Sequence, residues 1–323
     1  MYRNLLYGLL LTLIIIAISF FYILSKTKVT TDFRHIYLIL DKRYLFLALI
    51  SLFLFHTFDN LRVFIISKSI GLNYPFWYGY FVSIISTFGA TVTPAHLGGE
   101  FLPFYTLARK GGHFYQVMSI ITLKGISGFF FYVIFFPWTV TVLIKNPREA
   151  REFLFIVGGI TLLSFLIYVL WQIIYKKNKK FFDKTVFSRV KRSILKYIVT
   201  CRKFFRERKI VFLWALVLSL FMYFSLIFIG VFLVKSFNTQ ASIKEIFLRQ
   251  LPLIYAIFIS PTPGGSGVGE LGALPVFEIF LPAKYLGIFT ILWRILSQYL
   301  SAFIGGIFFG FFLLYDLLKT RNA

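Results

Sequence analysis

The sequence predicts an all-α integral membrane protein of about six full transmembrane helices, with two Pro/Gly-broken re-entrant hairpins set in an inverted repeat. Three observations lead there. Leu5 to Leu24 is a run of twenty residues without a charge, and a helix needs roughly 20 residues to cross the hydrocarbon core. Charged residues make up 15% of the chain and hydrophobic ones 59%, whereas soluble domains carry about 25% charged residues. Two apolar stretches, 74–107 and 245–281, are each interrupted in the middle by proline and glycine, so neither forms one smooth helix.

Full spans are expected near 5–24, 44–66, 114–136, 153–174, 210–234 and 285–316. The first run is too long for the core of a signal peptide and no A-x-A-like site follows it, so it reads as a retained anchor. Forty-three Phe, nineteen Tyr and five Trp suit lipid contact and interfacial belts. The whole chain, 1–323, reads as a single transmembrane domain. Repeat 1 covers about 44–144 and repeat 2 about 210–316, with a basic segment at 175–209 between them.

The formal charge of +23 does not point to nucleic acid, because the bases sit at segment ends and in one loop, where anionic lipid headgroups are the natural partner. Between Tyr175 and Ile210 there are fourteen Lys and Arg against Asp183 and Glu207. The positive-inside rule makes that loop cytoplasmic and, with both hairpins entering and leaving on one side, puts both termini inside the cell. Phe187, Val190, Ile194, Tyr197, Ile198, Cys201, Phe204 and Phe205 recur through it at helical spacing, the pattern of a helix lying in an anionic membrane surface. A multi-pass protein of the cell membrane is expected.

The two interrupted stretches resemble each other. The first reads Thr93-Pro94-Ala95-His96-Leu97-Gly98-Gly99-Glu100, and the second Thr262-Pro263-Gly264-Gly265-Ser266-Gly267-Val268-Gly269-Glu270. Lys124 stands twenty-four residues after Glu100, and Arg294 twenty-four after Glu270. A break, a Glu and a base at equal spacing read as a duplication. The helix at 44–66 and its counterpart at 210–234 then run in opposite directions, and inverted repeats with broken helices are a signature of secondary transporters.

The breaks at Pro94, Pro261 and Pro263 leave backbone N–H groups unpaired at the start of each following half-helix. Such groups need partners in lipid and make an anion site with the helix dipole, which selects Gly98, Gly99, Gly264, Gly265 and Gly267 as candidate headgroup-binding positions. Lys124 and Arg294 lie ten residues into their helices, roughly 15 Å along, where an uncompensated charge is expensive. Glu100 and Glu270 are their candidate partners, and Asp59 with Arg62, at i,i+3 spacing, is a third pair. The alternative is that all three pairs only stitch helices together. His96 sits in the first break, as a candidate binding residue or a satisfied turn histidine.

Other signals carry less. The lone Cys201 excludes an internal disulfide, and the four His show no metal spacing. Gly267 to Gly272 matches G-x-G-x-x-G without a βαβ unit around it. No hydrolase, zinc-protease or Walker sequence occurs. No cofactor, metal or catalytic residue is expected.

From Pro94 to Glu100 and from Pro261 to Glu270 the sequence resembles the lysylphosphatidylglycerol synthase transmembrane region, also called the flippase-like domain family. Arg109-Lys110-Gly111, Lys124, and Arg62 followed by Gly71 also suit its pattern. The second break is the more specific signal, and the resemblance covers almost the whole chain. One departure is at Lys124, which lacks the acidic neighbours of the family's Glu-Arg-x-x-Asp. The resemblance implies a domain that moves or presents lipids. In full-length lysyl-lipid synthases a separate soluble C-terminal domain performs aminoacyl transfer, and this chain, ending at Ala323, is expected to lack it. The expected function is translocation of an anionic or glycosylated lipid headgroup through a central cavity, with a membrane phospholipid or glycolipid as partner. The alternative is a non-transporting partner of a lipid-modifying enzyme or glycosyltransferase.

Overall fold

The computed structural model describes residues 40–93, 96–145 and 184–321, together with 17, 21, 147 and 151. Apart from residues 17 and 21, the span expected at 5–24 falls outside them, as do the span at 153–174 and Pro94. Among the described residues every regular element is helical. In chain order they are α1 (Lys42–Ser69), α2 (Tyr78–Val92), α3 (Gly98–Ala108), α4 (Phe114–Lys145), α5 (Lys184–Glu207), α6 (Lys209–Phe237), α7 (Ile243–Ile259), α8 (Val268–Phe277), α9 (Ala283–Arg294) and α10 (Leu300–Arg321). A single 3-10 turn, Pro263–Gly265, lies between α7 and α8, and a π-helical turn, Ile295–Tyr299, joins α9 to α10.

Four stretches among the described residues are long and apolar enough to cross a bilayer: α1, α4, α6 and the continuous Ala283–Lys319. They cover the expected spans at 44–66, 114–136, 210–234 and 285–316 and extend past them. The ends follow local chemistry. The Asp41 carboxylate accepts the Arg43 N–H at 2.9 Å, capping the start of α1. At its end Gly71, at φ +85°, lets Leu72 N–H reach back to the Ser67 carbonyl at 2.9 Å, the closing bond of a Schellman motif. In α4, Pro137 lies inside the helix.

α1 and α6 make the most extensive helix pair, and they run antiparallel. Asp41 N–H donates to Ser236 O at 2.9 Å at one end, while Arg62 reaches Ser219 Oγ at 3.1 Å toward the other. The opposed directions expected for 44–66 and 210–234 are therefore present.

The interrupted stretches each form two short helices folded back on one another. α2 and α3 have 15 and 11 residues, and α7 and α8 have 17 and 10. At about 1.5 Å per residue none of the four covers a hydrocarbon core of about 30 Å. α2 and α3 are antiparallel: Tyr78 OH donates to Thr106 O at 2.7 Å near the open end, and Ser86 Oγ to Gly99 O at 2.7 Å nearer the turn. The backbones touch there, since a Cβ on Gly98 would stand 2.4 Å from the Gly89 carbonyl oxygen. α10 packs along α2, with Phe309 against Phe88 and Phe312 stacked on Tyr78. The largest apolar core joins α6, α7, α8 and α9 around Trp293, Phe277 and Phe289.

Candidate functional site

The two breaks meet. Gly264 sits against the end of α2, where a Cβ would stand 3.0 Å from Thr91 Cα, and Gln298 Nε2 donates to Thr91 Oγ1 at 3.0 Å. Beside this junction lies a cavity of about 330 Å³. Asp59, Arg62, His96, Gly99, Glu100, Lys124 and Arg294 all line it. Helices α1, α3, α4 and α9 thus bring to one place residues that the sequence singled out separately.

The three ion pairs are not equivalent. Arg294 Nε donates to Glu270 Oε1 at 3.0 Å, with 2% and 0% of the two side chains exposed. Glu270 Oε2 accepts the Gly267 N–H at 2.6 Å, capping α8, and Tyr299 OH donates to Oε1. Arg294 Nη2 also donates to Gly264 O at 3.1 Å. This pair is closed on every side, although the arginine borders the cavity. Asp59 and Arg62 are bonded one turn apart on α1, both buried, and Arg62 Nη1 donates to Ser219 Oγ. Arg62 Nε, by contrast, has no hydrogen-bond acceptor.

Lys124 is held differently. Its Nζ donates to Ser86 Oγ at 2.9 Å and Gly99 O at 3.3 Å, while Glu100 Oε1 stands at 3.9 Å with 45% of that side chain exposed. Glu100 Oε2 is without a hydrogen-bond partner. The longer separation and a buried, unpaired carboxylate oxygen set Lys124–Glu100 apart from the other two pairs. His96 takes φ +58°, a left-handed backbone otherwise filled by glycine in the described residues, and its buried Nδ1 has no partner. It is therefore not a satisfied turn histidine.

Several break amides are already occupied. Gly98 N–H donates to Thr93 Oγ1 at 2.6 Å, Gly265 N–H to Thr262 O at 3.1 Å and Gly267 N–H to Glu270. Anion-binding capacity in this arrangement therefore rests on the side chains of Arg62, Lys124 and His96 more than on these N–H groups. Pro263 opens the 3-10 turn and is buried, and Pro261 is half-buried beside it.

One wall of the cavity is aromatic: Phe129 and Phe258 line it while standing 57% and 43% exposed, and Tyr132 stacks on Phe258 with ring centroids 4.3 Å apart. A polar interior thus opens beside an apolar outer surface. Sequence reasoning missed Ser86, Ser219 and Tyr299, which hold the charged groups, and Gln298, which ties the second break to Thr91. The signal for Tyr299 was its place one turn after Arg294.

Three comparisons bear on this arrangement. A UPF0104 membrane protein of Archaeoglobus fulgidus is 23% identical over 330 residues, with 97% of each chain covered. No solved structure matches the chain to a significant degree. The family described as the lysylphosphatidylglycerol synthase TM region matches residues 5–305. With that match over nearly its whole length, this multi-pass membrane chain belongs to the lysylphosphatidylglycerol synthase transmembrane-region family.

Proposed function

We propose that this protein is a lipid flippase-like translocator, which passes an anionic or glycosylated headgroup through the cavity while the acyl chains stay in the bilayer. The observation that carries the reading is Lys124, a buried ammonium at the cavity wall whose carboxylate partner is 3.9 Å away and half-exposed. A charge in the bilayer interior is costly and marks a pathway by default. A phosphate entering the cavity takes the place of Glu100 on Lys124, with Arg62 Nε and His96 Nδ1 as further unsatisfied groups. The exposed Phe129 and Phe258 support a lateral opening to lipid.

In this reading the helix pairs α2–α3 and α7–α8 are re-entrant hairpins entering from opposite sides, and the two halves form an inverted repeat. Their short lengths, their meeting at Thr91 and Gly264, and the antiparallel α1 and α6 support it. The termini are cytoplasmic and the membrane is the cell membrane, on the strength of the basic segment 175–209. Reconstitution in liposomes with fluorescent phospholipids and glycolipids, read with a membrane-impermeant quencher, tests the function. Flipping above that of protein-free liposomes is expected; its absence for every lipid from folded protein overturns the reading.

A second reading, a docking partner for a lipid-modifying enzyme or glycosyltransferase, is favoured by α5. Ile194, Leu195, Ile198 and Val199 are exposed along it, although Tyr197 OH contacts Thr122 Oγ1 at 3.0 Å and Phe204 is buried in the core. Stoichiometric co-purification of such an enzyme without intrinsic flipping would select it.

A further inference from the structure

One buried titratable group takes no part in the site as described. His56 lies in the middle of α1, about 21 Å along a helix of 28 residues, and only 6% of it is exposed. Its two ring nitrogens are each bonded to a hydroxyl from a different helix. Nδ1 pairs with Ser83 Oγ of α2 at 2.9 Å, and Nε2 with Ser301 Oγ of α10 at 2.7 Å. Asp59, which lines the cavity, stands one turn further along α1 and neighbours the Ser83 side chain. Hydrogen bonds join Ser301, His56 and Ser83, and an ion pair and a hydrogen bond join Asp59, Arg62 and Ser219, so two short chains face each other at Ser83 and Asp59, between α10 and the cavity.

Hydroxyls are unusual partners because each donates or accepts by rotating about its C–O bond. A neutral imidazole donates through one nitrogen and accepts through the other. An imidazolium donates through both, and two serines accommodate it by turning a single O–H away. The pocket thus holds His56 with or without an added proton, and needs no rearrangement of its backbone. Amide or guanidinium partners would not allow this. Chains of Asp, Glu and His inside membranes are the usual material of proton relays.

We propose that His56 is the proton-carrying group that couples translocation to a proton gradient, an inference that rests on the flippase reading. The proton enters from cavity water onto the Asp59 carboxylate and passes to the Ser83 oxygen, as the Ser83 O–H bond breaks and its proton forms the N–H bond on His56 Nδ1. It leaves by the same route once the cavity faces the other side, so one access path serves both directions. The charged group facing His56 is Asp59 on its own helix, itself paired with Arg62 and near Lys124 of α4. α2 contributes Ser83 and, bonded to Thr57 of α1, Tyr80. α10 contributes Ser301, and Tyr223 of α6 reaches the cavity beyond Asp59.

The test uses the full chain in liposomes with the membrane potential clamped, a fluorescent phosphatidylglycerol as probe and an imposed pH gradient. Wild type should concentrate the probe in one leaflet, by about tenfold per pH unit if one proton moves with each lipid. His56→Gln and His56→Asn keep a polar group in the pocket, and should equilibrate the probe between leaflets at the wild-type rate without bias. Either variant building the wild-type bias overturns the proposal. So does wild type that flips without responding to the gradient, or loss of exchange in both variants together with the bias, which marks a structural role. Wild type that flips no lipid removes the flippase reading itself.

Discussion

Arg294 and Glu270 hold one another at 3.0 Å with both side chains buried, while Lys124 and Glu100, separated by the same number of residues in sequence, stand 3.9 Å apart beside an open cavity. Equal spacing in sequence therefore does not mean equal work. A buried pair is costly to break because removing one partner strands the other charge. Arg294→Gln should lower stability by about 3–5 kcal/mol, read as a fall in the thermal midpoint in detergent. Glu270→Gln combined with Arg294→Gln should recover part of that loss, since an amide oxygen still accepts the Gly267 N–H. A double variant as unstable as Arg294→Gln would contradict a desolvated pair.

The junction of the breaks gives a second prediction. Gly264 has φ +60°, and a Cβ there would stand 2.4 Å from Gln298 Nε2 and 3.0 Å from Thr91 Cα. Gly264→Ala should cost about 1–2 kcal/mol from the left-handed backbone alone, with repacking of Gln298 added. Gly310→Ala in α10, where a Cβ meets nothing within 4 Å, should be neutral or stabilising by up to about 1 kcal/mol. Thermal midpoints of the two variants, side by side, check this.

A third concerns the clamp between α3 and α10. Arg109 Nε and Nη2 each donate to Asp316 at 2.8 Å, and the guanidinium lies 4.3 Å from the Phe312 ring centroid. The side chains are 19% and 35% exposed, so solvent screens the pair. Asp316→Asn should cost no more than about 1 kcal/mol. A double-mutant cycle with Arg109→Gln should give a coupling of that order, and a coupling of several kcal/mol would contradict the screened geometry.

Much of this was legible because membranes make charges rare and therefore informative. Asp59, Arg62, Glu100, Lys124 and Arg294 stood out against apolar runs and do converge on one cavity. The second break was legible because Gly264, Gly265 and Gly267 adopt positive φ, which other residues resist. Ser86 and Ser219 were not, since a lone serine in an apolar helix commonly bonds its own preceding turn, as Ser219 does with Ala215 O at 2.7 Å. Nor was the difference between the two Glu–base pairs, which depends on how each hairpin is covered by its neighbours. The span expected to stop at 136 continues through Pro137 to Lys145; proline inside a membrane-spanning helix is tolerated more readily than in a soluble one.

The most direct test of the central claim is the rate at which Lys124→Gln flips a fluorescent phosphatidylglycerol in liposomes, measured against wild type at equal protein incorporation. Lys124 accounts for one charge-assisted contact to the passing phosphate, so the variant should flip at least about tenfold more slowly. Its thermal midpoint should fall by less than that of Arg294→Gln, because Glu100 is half-exposed whereas Glu270 is fully buried. A variant that folds and flips at the wild-type rate would contradict the assignment of this cavity as the headgroup path.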